Sequence, residues 1–313
     1  MVVVAEVVRS GMVESRHHGS VAGLAADGSV VLSVGDITSP VFGRSSNKPM
    51  QAVAMVTAGL QLPSDLLAVV AASHSGEPAH LDAVRRLLAT AGLREDQLAN
   101  TADLPLDEHA RNAVIAAHAS PSALLQNCSG KHAGMLVTCV VNGWPTAGYL
   151  DPDHPLQRAV TTTVERLCGE RVAHVGVDGC GAPVHAISLV GLARAFRTIA
   201  TEPVGSAGHA VAGAIRRHPF LLGGSGRDVT LLLDATPGLI AKDGAEGVYA
   251  AATTDGRAVA LKIDDGASRA RACVLLEALT ALGVDVEAAR AVTEVAVLGH
   301  GRPVGVVRAC PLN

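Results

Sequence analysis

Lysine is almost missing from this chain. Of the 25 basic side chains only four are lysine, at Lys48, Lys131, Lys242 and Lys262, and the remainder are arginine. Arginine cannot be deprotonated inside a protein, whereas lysine can act as a base or bind a metal. Four lysines kept in Gly-, Ser- or Cys-rich segments are therefore candidates for tasks arginine cannot perform. Charge of one sign is also scarce: the net charge is −4 with acids and bases interspersed. No basic stripe points to nucleic acid, and no charge run forms a tail. No window approaches the roughly twenty apolar residues of a membrane span. The opening Met1-Val2-Val3-Val4-Ala5-Glu6 lacks a charged leader region and breaks its apolar run at Glu6, which predicts a strand rather than a signal peptide. A cytoplasmic location is the expectation. Internal repeats, low-complexity tracts and an obvious linker are absent too.

With 49% hydrophobic residues, 313 residues suffice for one large domain or two smaller ones. The first thirty-five residues alternate as strands, and Asp27-Gly28 between two such runs signals a hairpin. Segments 65–72, 80–92, 110–118, 131–142, 155–168, 186–198 and 207–217 carry apolar residues at helical spacing. Strand patterns return at 238–241, 247–253 and 257–263, before a helix at 267–282 and a terminal strand around 303–308. Strands at both chain ends bracketing a helical middle predict an α/β (α+β) fold with an antiparallel sheet. One catalytic unit over 1–313 is expected, its sheet part from about 1–45 and 220–313 and its helical part from about 46–219. A cleft between the two is the expected place for a site.

The densest chemistry lies in Gly43-Arg44-Ser45-Ser46-Asn47-Lys48-Pro49. Residues i and i+3 share a helix face, so the Lys48 amine can reach the Ser45 hydroxyl and take its proton during attack. Ser45 or Ser46 would cap the helix, and Pro49 falls in its first turn, although it biases Lys48 away from helical angles. Arg44 can hold Lys48 neutral or bind an anionic substrate. The plain alternative is a capping serine beside an exposed lysine. Ser73-His74-Ser75-Gly76-Glu77 is either a second serine turned into a cleft or a helix end and turn. His74 and His80 suggest metal ligands or, equally, capping or surface histidines.

Four of the six cysteines lie in apolar stretches, whereas Cys128 and Cys180 sit in Gly-rich polar turns, Asn127-Cys128-Ser129-Gly130-Lys131-His132 and Asp178-Gly179-Cys180-Gly181-Ala182-Pro183. Two thiolates meeting at one soft ion would suit zinc, without any Cys-x-x-Cys. Lys131 would either bind that ion as a neutral amine or lower a thiol pKa. Leu261-Lys262-Ile263-Asp264-Asp265-Gly266 ends a strand on a lysine, facing a nucleophile across a cleft or neutralised by Asp264 or Asp265. Lys242-Asp243-Gly244-Ala245-Glu246-Gly247 resembles a hairpin turn from which Glu246 can reach the cleft.

In this order, with Glu14-Ser15-Arg16-His17-His18-Gly19 ahead of them, these segments resemble the rhizobial-type (class 3) L-asparaginases, the asparaginase II family related in fold to serine β-lactamases and glutaminases. The resemblance runs from residue 14 to 266. It implies hydrolysis of L-asparagine to L-aspartate and ammonia through an acyl-enzyme. Ser45 is then the nucleophile, Lys48 its base, Ser73 a proton relay and Lys262 a support for the second serine. It also implies zinc held by Cys128, Lys131, Cys180 and water, with Asp178 oriented toward that water and the metal not essential for bond cleavage. A homodimer is implied as well. Arg44 and Asp178 present opposite charges that suit a small zwitterion. The alternatives are a glutaminase or penicillin-recognising amidohydrolase, and a catalytically silent zinc- or amino-acid-binding protein.

Overall fold

A computed structural model describes residues 2–312. Among them β1 (Val2–Arg9), β2 (Met12–Leu24), β3 (Val30–Val34) and β4 (Val41–Phe42) precede α1 (Lys48–Thr57), α2 (Ser64–Val70), α3 (Pro78–Ala89), α4 (Glu108–Ala116), α5 (Ser129–Val141) and α6 (Pro155–Cys168). Two strands, β5 (His174–Val177) and β6 (Pro183–Ile187), then lead to α7 (Leu189–Thr201), α8 (Ala207–Arg217), α9 (Pro219–Leu222) and α10 (Asp228–Ala235). The chain closes with β7 (Ile240–Asp243), β8 (Val248–Ala252), β9 (Ala258–Ile263), α11 (Arg271–Ala281), α12 (Glu287–Thr293), β10 (Val295–Gly299) and β11 (Arg302–Ala309).

The main sheet runs β10-β11-β1-β2-β9-β8-β7, with β3 also on β2, and every pairing is antiparallel. The two chain ends are woven together: Ala5 lies opposite Ala309, and Ser20 opposite Lys262. The predicted hairpin forms at Asp27-Gly28. Gly28 takes a φ of 92°, and the Asp27 carboxylate accepts from the Ser29 backbone N–H at 2.9 Å. Strands β8 and β9 are short, β-branched and Ala-rich, and β8 is buried on both faces. Helices α7 and α11 both pack on this pair, so both faces of the sheet are covered there.

The middle of the chain is not wholly helical. Residues 174–187, of which the spacing marked only the end as the start of a helix, instead form β5 and β6. These pair with β4 into a separate three-stranded sheet, and α7 begins only at Leu189, capped by the Ser188 hydroxyl. The strands are four and five residues long, too short for a periodic signal to show. Their role is local: the connection between them, Asp178–Ala182, is closed by an Asp178 N–H to Ala182 carbonyl bond of 2.9 Å and carries Cys180.

Helix α5 fits against α2 because Gly130 has no side chain, and a Cβ there would sit on the Val69 carbonyl oxygen. This close approach brings the segment after α2, Ser73–Ser75, against the start of α5. Ser73 N–H donates to Leu222 O, His74 N–H to Asn127 O and Ser75 N–H to Gly223 O. The segment is therefore extended and tied on both sides.

Candidate active site

The residues Arg44–Asn47 form one 3₁₀ turn that runs directly into α1. In a 3₁₀ turn residues three apart eclipse one another, and Lys48 N–H closes the turn on the Ser45 carbonyl. Neither serine caps the helix. Ser46 Oγ donates instead to the Lys242 carbonyl at 2.9 Å, and Ser45 is partly exposed with its hydroxyl free of hydrogen bonds among the described residues. Arg44, just before it, is held at a φ of 49°, in the left-handed region that non-glycine residues seldom occupy.

Lys48 is buried, and its amine donates to Ala72 O at 2.6 Å and Ser73 Oγ at 2.9 Å. The sequence relation pointed from Lys48 to Ser45; the hydrogen bond goes to Ser73. The second serine is thus joined to the first Ser-x-x-Lys segment through the lysine.

A second buried lysine, Lys242 on β7, stands within electrostatic reach of Lys48. Burial lowers its pKa to about 8, with the attraction of Asp243 opposing and the charge of Lys48 assisting. Lys242 Nζ is paired with the Asp243 carboxylate and donates to the Asp243 carbonyl at 2.8 Å. Asp243 also receives Arg227 at 2.7 Å and Arg271 at 3.1 Å, and Arg227 reaches the Ser73 carbonyl at 3.3 Å. Burial works against charge on Asp243, yet these three cations hold its carboxyl well below the usual range. Lys262 is placed otherwise: it is half-buried and donates to Glu246 O and Ile263 O, each at 2.6 Å. Lys242 is the residue that sequence reasoning did not carry into the site. Its signal was a lysine ending the apolar run Leu239-Ile240-Ala241, with an acid beside it.

Cys128, at the N-terminus of α5, and Cys180, in the β5–β6 connection, pack together with Ala182 and are both buried. Lys131 is buried one turn into α5 and donates to Cys180 Sγ at 3.1 Å. Burial disfavours its charge, but the two sulfurs and Asp178 outweigh that and raise its pKa. A hydrogen bond with Cys180 holds Cys128 well below the ordinary thiol value, helped by the Lys48 and Lys131 charges against burial; Cys180 is raised in turn. Asp178 accepts from Arg44 Nε at 2.8 Å, so the cation before Ser45 is tied to the thiol pair.

Behind the sulfurs stands His132, whose Nδ1 lies 2.8 Å from Tyr149 Oη, which also accepts from the Ala99 N–H at 3.1 Å. Burial lowers the histidine to about 4 and raises the tyrosine to about 12, so both are neutral at pH 7. The tyrosine then donates to Nδ1, which leaves the proton on Nε2, a buried atom with no hydrogen-bond partner. The two sulfurs and the amine form a donor set that suits a soft divalent ion, and the Nε2–H behind them can serve only as a hydrogen-bond donor. Among the described residues no three His, Cys, Asp or Glu side chains gather as a conventional metal site, because the third donor here is an amine. His74 and His80, the other metal candidates, are buried and stacked on each other at 5.3 Å; His74 Nε2 is bonded to Ser129 Oγ and His80 Nε2 to the Phe220 carbonyl. They are packed core histidines.

A sequence model of the L-asparaginase II family matches residues 5–309, and the chain belongs to that family. Membership carries an L-asparaginase-type activity on a small-molecule substrate. No curated protein matches the sequence significantly. Among the described residues no helix is long and apolar enough to cross a membrane.

Proposed function

We propose that the protein hydrolyses L-asparagine to L-aspartate and ammonia by a Ser–Lys acyl-enzyme route. The observation that carries this reading is the buried Lys48 amine on Ser73 Oγ, one turn from the unbonded Ser45 hydroxyl. A neutral lysine has two N–H groups and one lone pair. Ala72 O and Ser73 Oγ use both donors, so the lone pair is left to accept the Ser45 proton. Ser45 Oγ attacks the side-chain amide carbon, and the carbonyl oxygen becomes an oxyanion beside the N-terminal backbone of the 3₁₀ turn and α1. Lys48 then passes the proton through Ser73 to the leaving nitrogen, and ammonia departs. Water repeats the sequence on the acyl-enzyme with the same groups in reverse order.

Lys242 takes the supporting part that the family resemblance gave to Lys262. Its positive charge, set beside Lys48, faces the charge that develops in the reaction, and its ion pair with Asp243 keeps it in place through Arg227 and Arg271. The antiparallel sheet backed by helices, with a Ser-x-x-Lys helix entering the core, supports placement beside the serine β-lactamases and glutaminases. Cys128, Cys180 and Lys131 would hold zinc. When bound, the ion would supply a fixed positive charge that orients substrate, while Asp178 and Arg44 keep the thiol pair aligned with Ser45.

The test is steady-state ammonia release from L-asparagine and L-glutamine by wild type and Ser45→Ala. Wild type is expected to favour asparagine, and the variant to fold and release none. Full turnover by Ser45→Ala would remove Ser45 from the reaction, and preference for glutamine would reassign the substrate.

A further inference from the structure

A cavity of about 290 Å³ opens directly beside the Ser45 segment, lined by Pro40, Val41, Phe42, Arg44, Glu246 and Lys262. Its three charged members have bonding capacity left over. Lys262 spends two of its three ammonium N–H groups on backbone carbonyls. Arg44 spends Nε on Asp178, and its two terminal nitrogens have no hydrogen bond among the described residues. Glu246 is largely exposed, and its nearest cation contact, Arg44 Nη1 at 3.9 Å, is too long for a hydrogen bond. The carboxylate therefore makes only this loose ion pair and no hydrogen bond among the described residues.

The backbone fixes these groups rather than letting them drift. Glu246 has a φ of 59°, and with Arg44 at 49° two of the cavity's charged residues sit in left-handed conformations. The β7–β8 turn that carries Glu246 lies on the Ser45 segment, because Gly244 approaches the Gly43 carbonyl so closely that a Cβ would stand 2.8 Å from it. Strain of this sort persists where the surroundings over-determine it. Lys262 lies opposite Val248 in the β8–β9 pairing, just past the same turn.

We propose that this cavity is the subsite for the α-amino-acid end of the substrate, with Lys262 and Arg44 facing the α-carboxylate and Glu246 facing the α-ammonium. This rests on the asparagine-hydrolysing reading and names what that reading leaves open, the recognition of a free zwitterion over a peptide or a blocked amide. Pro40, Val41 and Phe42 form an apolar wall beside the charges, and the small volume suits one amino acid. Glu246 and Lys262 are thereby specificity residues, and catalysis stays with Ser45, Lys48, Ser73 and Lys242.

Glu246→Gln, which is isosteric, is expected to raise KM for L-asparagine by about tenfold or more, with kcat changed far less, as loss of one charge-assisted bond requires. Its preference for L-asparagine over Nα-acetyl-L-asparagine is expected to fall by a similar factor. Lys262→Met is expected to raise KM likewise, and Lys262→Arg to recover most of the loss. Wild-type KM in both Glu246→Gln and Lys262→Met, or a loss confined to kcat, would overturn the assignment. Titration calorimetry with L-aspartate and Nα-acetyl-L-aspartate separates this subsite from the reaction, because binding needs no turnover. If wild type releases no ammonia yet prefers L-aspartate through Glu246, the subsite stands and the hydrolytic reading falls. If both ligands bind equally, the subsite falls whatever the turnover.

Discussion

Lys242 can be tested on stability and on rate at once. Its folded pKa of about 8 lies below the unfolded value of 10.5. A group depressed on folding contributes stability in full above its unfolded pKa and loses it as pH falls through the folded one. Between pH 10.5 and 8 the folded state is therefore progressively penalised, and at pH 7 the whole penalty is present. The 2.5-unit difference is worth about 3 kcal/mol. Lys242→Met removes the buried amine but leaves Asp243 held by Arg227 and Arg271. It is expected to unfold at higher urea concentration at pH 7, by about 1–3 kcal/mol, as when a buried ion is replaced by an apolar isostere. The same substitution should sharply reduce kcat. In wild type, kcat/KM should fall between pH 7 and 9 as Lys242 loses its charge, the charged fraction shrinking from about nine-tenths to about a tenth across an apparent pKa of about 8. Lys242→Met should lose that limb. A variant less stable than wild type at pH 7, or one that keeps both kcat and the alkaline limb, would refute the reasoning.

Other expectations follow from the same network. Ser73→Ala should fold and lower kcat by about 10²–10⁴ with little change in KM, because it removes the proton relay while the nucleophile remains; unchanged kcat in ammonia release would exclude a relay through Ser73. Cys128→Ser or Cys180→Ser should abolish stoichiometric zinc, measured by elemental analysis after dialysis against zinc, and weaken asparagine binding more than kcat; equal zinc content in both variants and wild type would remove the thiols as ligands. Buried His185 donates from Nε2 to Thr161, and burial lowers its pKa to about 4. Its depressed pKa makes stability fall as pH drops from 6.5 toward 4, by about 1 kcal/mol per pH unit near pH 5.5. His185→Gln should flatten the decline of urea midpoints over that range, and an unaltered slope would dismiss it.

The legible part of the fold was what local pattern controls. Asp27-Gly28 announced its hairpin, and 155–168 and 207–217 announced helices that end on the expected residues. Strands β5 and β6 were not legible, because four or five residues around a tight Asp178–Ala182 connection give no period to read. In the site, the near-absence of lysine singled out four residues, and three of them are fully buried together around Ser73 and the thiols. What could not be read was partnership. Lys48 turns to Ser73, twenty-five residues away, rather than to the serine three residues before it. That choice is made by how α2 packs on α5, not by helix geometry. Likewise Lys242 and Lys262 both lie near strand ends in the sequence, and only the pairing of β7, β8 and β9 buries one and leaves the other at a cavity.

The pairing of Ala5 with Ala309 and of Ser20 with Lys262 sets an order on biogenesis. A ribosome delivers β1, β2 and β3 first, and these can pair with one another, but β11 and β9, which flank them in the sheet, are synthesised last. Until then, the outer hydrogen-bonding edges and apolar faces of the early strands emerge unpaired. Lys242, Glu246 and Lys262 arrive on the same late segment, so a chain stalled before it would hold a helical middle and no competent catalyst. Such a nascent chain should lean on chaperones for most of its synthesis, and after release fold slowly, as long-range strand pairing requires.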